Sequence, residues 1–123
     1  GATVQMTRVD DTYISLESRV NKANTSKADR FISVHHNGSV NPAHNGTAVY
    51  SGSVGSSRSH DQETKFKNGT ANFYVLQQTT MPAILTEASF ITNPKEEAKL
   101  RSPAYLWREA YYIYLGIVDH IGN

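Results

Sequence analysis

Two short apolar runs, each closed by an ionisable residue, limit what this chain can fold into more than any other feature. Phe31-Ile32-Ser33-Val34-His35 and Ala83-Ile84-Leu85-Thr86-Glu87 are too brief for ordinary helices and apolar for most of their length. Such runs fit strands covered on both faces, as in the sheet of an α/β domain. The first leads into His36-Asn37 and the second into the small-residue turn Ala88-Ser89. Ligands gather beyond the carboxyl ends of parallel strands, so His35 and Glu87 are the first places to look for chemistry.

The remaining elements are arranged around these two. Thr3-Val4-Gln5-Met6-Thr7 alternates and is rich in β-branched residues, which predicts a strand leaving through Arg8-Val9-Asp10-Asp11. Leu16, Val20 and Ala23 recur at helical spacing between a capping Ser15 and an exposed Lys27, giving an amphipathic helix. Strand, helix and the strand ending at His35 make a βαβ unit with parallel strands and a right-handed crossover. His36 to Gly46 is a loop of Asn, Gly, Pro and Ser, followed by a strand at Thr47–Tyr50. Ser51 to Gly69 has no periodicity and reads as an exposed loop, while Phe73–Leu76 reads as one more short strand ahead of the one at Ala83–Thr86. Ser102-Pro103 opens a long terminal helix with Leu106, Ala110, Ile113, Ile117 and Ile121 on its buried face. Its aromatics Tyr105, Trp107, Tyr111, Tyr112 and Tyr114 are expected to pack against the sheet rather than to stack on sugars. The expected fold is α/β: a single domain over residues 1–123, with a mainly parallel sheet flanked by helices on both faces in three layers.

Composition narrows the function. Twelve basic and eleven acidic residues are scattered along 123 positions for a net charge of +1, with no basic stripe for nucleic acid and no membrane span. Without cysteine, disulfides and thiolate metal sites are ruled out, and any metal must be held by imidazole and carboxylate. The chain carries no signal peptide, and no glycine-rich phosphate loop follows the early strand. On an extended strand His35 shares a face with Phe31 and Ser33 while His36 points the opposite way. The two histidines are therefore not expected to bind one ion. Arg8 and Asp11 are either a solvated pair in a strand-exit loop or contacts for an anionic ligand. His44, His60 and His120 need no catalytic explanation.

Several blocks together resemble the zinc-dependent N-acetylmuramoyl-L-alanine amidases of peptidoglycan. Ala28-Asp29-Arg30-Phe31-Ile32-Ser33-Val34-His35-His36-Asn37 is similar to the family's strand ending in Ser-Ile-His-x-Asn. Met81-Pro82-Ala83-Ile84-Leu85-Thr86-Glu87-Ala88-Ser89-Phe90-Ile91-Thr92-Asn93 resembles its Pro-Ala-x-Leu-x-Glu-x-x-Phe-x-x-Asn signature. Thr7-Arg8 with Asp11, Leu16 to Val20 and Ala23-Asn24 look like the run joining a strand to its helix, and Glu96-Glu97 with Leu100 look like the tail.

The resemblance implies one catalytic zinc held by two histidines and a glutamate, with an open position for water and substrate. It makes His35 a zinc ligand and Glu87 the general base that passes the water's proton to the leaving amine. The reaction implied is hydrolysis of the amide between N-acetylmuramic acid and L-alanine. The setting implied is the bacterial cell wall or the space outside the cell, with peptidoglycan as partner and the protein a monomer.

Two departures qualify this. The family's remaining zinc ligands belong to a first strand and first helix that this chain lacks, and the stretch from Tyr50 to Asn72 is shorter than the family's, which carries a helix there. The alternative reading is a non-catalytic amidase-like module that binds peptidoglycan or a protein partner. An unrelated α/β binding domain, with His35 and Glu87 coincidental, is a third.

Overall fold

The computed structural model describes residues 1–51, 67–70 and 73–122. In chain order these form α1 (Leu16–Ser26), β1 (Phe31–Asn37), β2 (Ala48–Ser51), β3 (Lys67–Thr70), α2 (Tyr74–Gln78), β4 (Ala83–Phe90), α3 (Pro94–Leu100) and α4 (Pro103–Gly122). Four strands make one sheet in the order β1-β4-β2-β3.

The two apolar runs are neighbours. β1 and β4 pair in parallel, from Phe31 opposite Ala83 to His35 opposite Glu87. β2 runs antiparallel to β4 and parallel to β3, so the sheet is mixed and the expectation of a mainly parallel sheet is corrected. The reason is chain length. A strand that returns parallel to the one before it in the same sheet needs a crossover of a dozen or more residues, whereas only residues 38–47 join β1 to β2, which lie on either side of β4. That short loop stays at one end of the sheet and sends the chain back the other way.

Alternation divides the sheet into two faces. Ala83 and Leu85 project towards α1 and α2, where they form a buried cluster with Val20, Val75 and Leu76, against which Phe31 and Tyr50 pack. Helix α1 starts where Ser15 Oγ accepts from Ser18 N at 3.1 Å and stops at Lys27, whose φ of 53° is left-handed. Val20 and Ala23 are buried as expected, but Leu16 is 49% exposed. Asn24 ties α1 to the end of α2 and the turn before β4: its amide nitrogen donates to Gln78 O at 3.0 Å, and its oxygen accepts from Thr80 N at 2.9 Å.

Four further expectations are corrected. Residues 3–7 form no strand, and Val4 and Met6 are 77% and 59% exposed. Among the described residues they have no ladder to join, and strand preference without a pairing partner does not make a strand; the expected βαβ unit is not formed there. Phe73–Leu76 is not a strand. Tyr74–Gln78 is a turn of helix, with Val75 and Leu76 both buried, a run too short for periodicity to decide. The supposed loop 51–69 contributes Ser51 to β2 and Lys67–Thr70 to β3; its positions 52–66 lie outside the described residues. Finally, the inward face of α4 is not the apolar stripe expected from Leu106 and Ala110, which are exposed. Half-buried positions are Tyr105, Glu109, Ile113, Gly116, Ile117 and His120: Ile113 and Ile117 face inward as expected, the first two turns are one residue out of phase, and the side chain of Ile121 lies outside the described ones. Trp107, Tyr111, Tyr112 and Tyr114 are 77%, 56%, 54% and 57% exposed, so they do not pack on the described sheet. No described helix is long and apolar enough to cross a membrane.

The contrast within α1 is testable. Val20→Ala removes a side chain only 4% exposed and should lower unfolding stability by about 2 kcal/mol. Leu16→Ala, on the open side of α1, should change it by less than about 0.5 kcal/mol. Urea denaturation of the two variants measures both, and equal losses would contradict this division of the helix.

Candidate active site

β1 and β4 finish side by side, and their register sets His35 level with Glu87. Adjacent strands lie roughly 4.8 Å apart, so the two residues leave the backbone as neighbours. Both belong to the face that carries Leu85 and Phe31 further down. On the other side of Glu87, β2 presents Ala48, its register partner across the antiparallel ladder. A carboxylate at the end of a central strand is thus flanked by an imidazole and a methyl group.

Neither side chain is committed elsewhere among the described residues. Glu87 Oε2 is buried and has no hydrogen-bond partner. Burial raises the Glu87 pKa above its ordinary value of 4.5, and the positive charge of His36 offsets part of that rise. His35 stands at the solvent edge with its ring partly shielded. That desolvation, followed by the charges of Arg19, Arg8 and His36, lowers its pKa below the ordinary 6.5. A neutral imidazole is the form that binds a metal, and an unpartnered buried carboxylate oxygen is the form that accepts a proton. Both fit the chemistry of a metal-assisted hydrolase.

The sheet separates the two histidines, as alternation predicts. His36 Nε2 lies 2.9 Å from Glu109 Oε2 on α4, across the sheet from α1. His44 Nδ1 is 2.9 Å from Ser39 Oγ, and His60 lies outside the described residues. Among the described residues no three His, Asp or Glu side chains gather as a metal-binding group. A three-ligand zinc set built on His35 therefore draws on residues outside the described ones. Arg8 and Asp11 are 3.9 Å apart and open to solvent, a geometry that contributes little to stability. Arg8 and Arg19 nevertheless put positive charge on the His35 side of the site.

Polar contacts missed in the sequence build the rim. Asn93 caps α3: its side-chain oxygen accepts from Lys95 N and Glu96 N at 3.0 and 3.2 Å, while its amide donates to Pro42 O and His44 O at 2.9 and 3.2 Å. Glu96 accepts from Gly46 N at 3.0 Å with one oxygen and from Phe90 N at 2.7 Å with the other. The loop 38–46 is therefore pinned to the end of β4. The signal was present: Asn followed by Pro and then Glu marks a helix start, and α3 begins at Pro94.

Comparison with known proteins finds amidases both by sequence and by fold. The family model described as N-acetylmuramoyl-L-alanine amidase matches residues 1–119. The N-acetylmuramoyl-L-alanine amidase LytC of Bacillus subtilis is 34% identical over 134 residues, covering 98% of this chain and 27% of LytC. The probable cell wall amidase LytH of Staphylococcus aureus is 36% identical over 118 residues, covering 82% of this chain and 36% of LytH. The alignment with LytC is longer than the chain's 123 residues, so LytC carries extra residues within the matched span. The catalytic domain of CwlV, an N-acetylmuramoyl-L-alanine amidase from Bacillus (Paenibacillus) polymyxa var. colistinus, superposes with a TM-score of 0.84 at 34% identity, over 98% of this chain and 73% of CwlV. An N-acetylmuramoyl-L-alanine amidase from Clostridium difficile 630 gives 0.83 at 29% identity, over 94% of this chain and 70% of that one. The chain thus spans well under half of LytC and of LytH.

The orphaned carboxylate sets a pH signature. With a folded pKa above the unfolded one, Glu87 binds more protons folded than unfolded, so it weakens the fold as pH rises through that window. Glu87→Gln should raise the melting temperature of the metal-free protein at pH 7 to 8, and the gain should vanish below the ordinary value of 4.5. Calorimetry across pH 4 to 8 checks this; a gain independent of pH would contradict it.

Proposed function

The chain belongs to the N-acetylmuramoyl-L-alanine amidase family, and from that premise we propose that it hydrolyses the amide bond between N-acetylmuramic acid and L-alanine in bacterial peptidoglycan, with Glu87 as general base and His35 as a zinc ligand. The observation that carries the proposal is the buried, unpartnered Oε2 of Glu87 level with His35 at the carboxyl ends of β4 and β1.

Each group has a task that follows from its surroundings. Burial keeps the Glu87 carboxylate basic, which suits it to take a proton from the attacking water and return it to the departing amine of L-alanine. The amide C–N bond breaks, the carbonyl carbon keeps the water's oxygen, and the nitrogen leaves with the proton. His35, whose lowered pKa favours the neutral ring, would offer a ring nitrogen to the metal, with the other ligands drawn from outside the described residues. A bound zinc supplies Lewis acidity, which polarises the carbonyl oxygen and makes water more acidic. Ala48, beside Glu87, leaves room that a larger side chain would fill. The positive charges of Arg8 and Arg19 near His35 suit a stem peptide bearing carboxylates. The substrate places this activity at the cell wall, where LytH, by name, also belongs.

An uncommitted buried carboxylate costs stability, which supports a working site over a non-catalytic wall-binding module. The test uses the full-length protein and purified peptidoglycan. About one zinc per molecule is expected by elemental analysis. His35→Ala should lose it, and Glu87→Ala should keep it while cutting stem-peptide release by about a hundredfold or more. Release unaffected by Glu87→Ala, or no zinc in an active protein, would sink the mechanism.

A further inference from the structure

Directly behind the site, on the α4 face of the sheet, lies a polar cluster that the reaction itself does not use. The register of β1 and β4 breaks just after His35 and Glu87: the next partners are Asn37 and Phe90. Two residues of β4, Ala88 and Ser89, therefore oppose the single residue His36. In such a bulge alternation is interrupted, and Ser89 comes round to the same face as His36. Both meet one carboxylate. Glu109 Oε2 is 2.9 Å from His36 Nε2, and Glu109 Oε1 accepts from Ser89 Oγ at 3.2 Å. Tyr105, one helical turn earlier on α4, brings its hydroxyl to 3.2 Å from the same Ser89 Oγ. Ser89 is completely buried and the Glu109 side chain is 16% exposed, so the Ser89 bonds are partly shielded from water, while the His36 contact lies at the exposed end of the cluster.

We propose that Glu109 is a positioning residue for the hydrolysis: by bridging His36 and Ser89 it fixes the bulge of β4 against the end of β1, and so sets where Glu87 stands relative to His35. The inference rests on the amidase reading for its catalytic part. Its physical basis is leverage. His36 and Ser89 lie one and two residues beyond the reacting pair. Thr47 Oγ1 donates to Ala88 O from the β2 side at 2.6 Å and Ile91 N donates to Asn37 O past the bulge at 2.9 Å, while Glu109 joins His36 of β1 to Ser89 of β4 at the bulge itself. A general base displaced by an ångström loses up to about a hundredfold in rate. The bridge also explains the phase of α4, whose half-buried stripe starts with Tyr105 and Glu109 rather than with Leu106 and Ala110.

The test compares wild type, Glu109→Leu, Glu109→Gln and Ser89→Ala in the full-length protein, reading kcat and KM on peptidoglycan fragments, zinc content, and amide hydrogen exchange along both strand ends. Expected for Glu109→Leu is a kcat lower by about ten- to a hundredfold, with KM within about twofold and zinc retained. Exchange should accelerate at His36, Asn37, Ala88 and Ser89 but not in the core strands. Glu109→Gln, which keeps hydrogen-bonding groups toward both partners, should recover most of the rate. Ser89→Ala removes one arm of the bridge without disturbing the carboxylate, so it should fall between and serves if Glu109→Leu does not fold. Unchanged kcat and exchange in Glu109→Leu, or in Ser89→Ala should Glu109→Leu not fold, overturns the proposal, as does a loss that Gln fails to relieve. If wild type releases no stem peptide, the amidase reading fails instead, and the exchange comparison still judges the bridge: unchanged protection overturns it.

Discussion

The parallel ladder between β1 and β4 is the constraint on which the rest of the site depends. It brings together two segments some fifty residues apart in sequence, from Phe31 opposite Ala83 to His35 opposite Glu87. One face of that ladder is anchored by Leu85 and Ala83 in the cluster with Val20, Val75 and Leu76. Because side chains alternate, the apolar residues that drive burial also dictate the face on which His35 and Glu87 emerge. A slip of one residue would turn them to the other side. Hydrophobic burial thereby aims two polar groups that contribute nothing to it.

Polar contacts then supply what burial leaves loose. Asn93 and Glu96 hold the loop 38–46 to the end of β4 with four bonds to backbone groups, two from each side chain. On the other face no residue of α4 from 103 to 120 is fully buried, and its described hydrogen bonds to the sheet run through Tyr105 and Glu109. In its first two turns the helix turns Tyr105 and Glu109 inward rather than Leu106 and Ala110, while further along Ile113 and Ile117 are half-buried, as counting apolar residues predicts. Of the aromatic side chains that looked like packing groups, Tyr105 reaches the sheet at Ser89, while Trp107, Tyr111, Tyr112 and Tyr114 stand largely in solvent.

How far the site was legible follows from the kind of signal each residue gives. His35 and Glu87 could be singled out because a strand that ends in an ionisable residue breaks an apolar run, and because their surroundings carry a family's motifs. The start of α3 was equally written, in Asn93-Pro94 and Glu96, though it is easily passed over beside the louder signature just before it. Glu109 was not legible. A glutamate in an exposed-looking helix is indistinguishable in sequence from any solvated charge, and its partners lie 73 and 20 positions away.

The sequence by itself determined the local elements with strong periodicity or caps, α1, β1, β4 and α4, and the chemistry available at their ends, because those signals lie within a few residues of one another. It could not decide the direction of β2, the helical state of Tyr74–Gln78, the unpaired state of residues 3–7 or the phase of the first two turns of α4. Each of those depends on which distant backbone or side chain is there to complete its hydrogen bonds or cover its apolar surface. The same is true of Glu87: its identity is local, but its raised basicity exists only because the tertiary structure buries it without a partner.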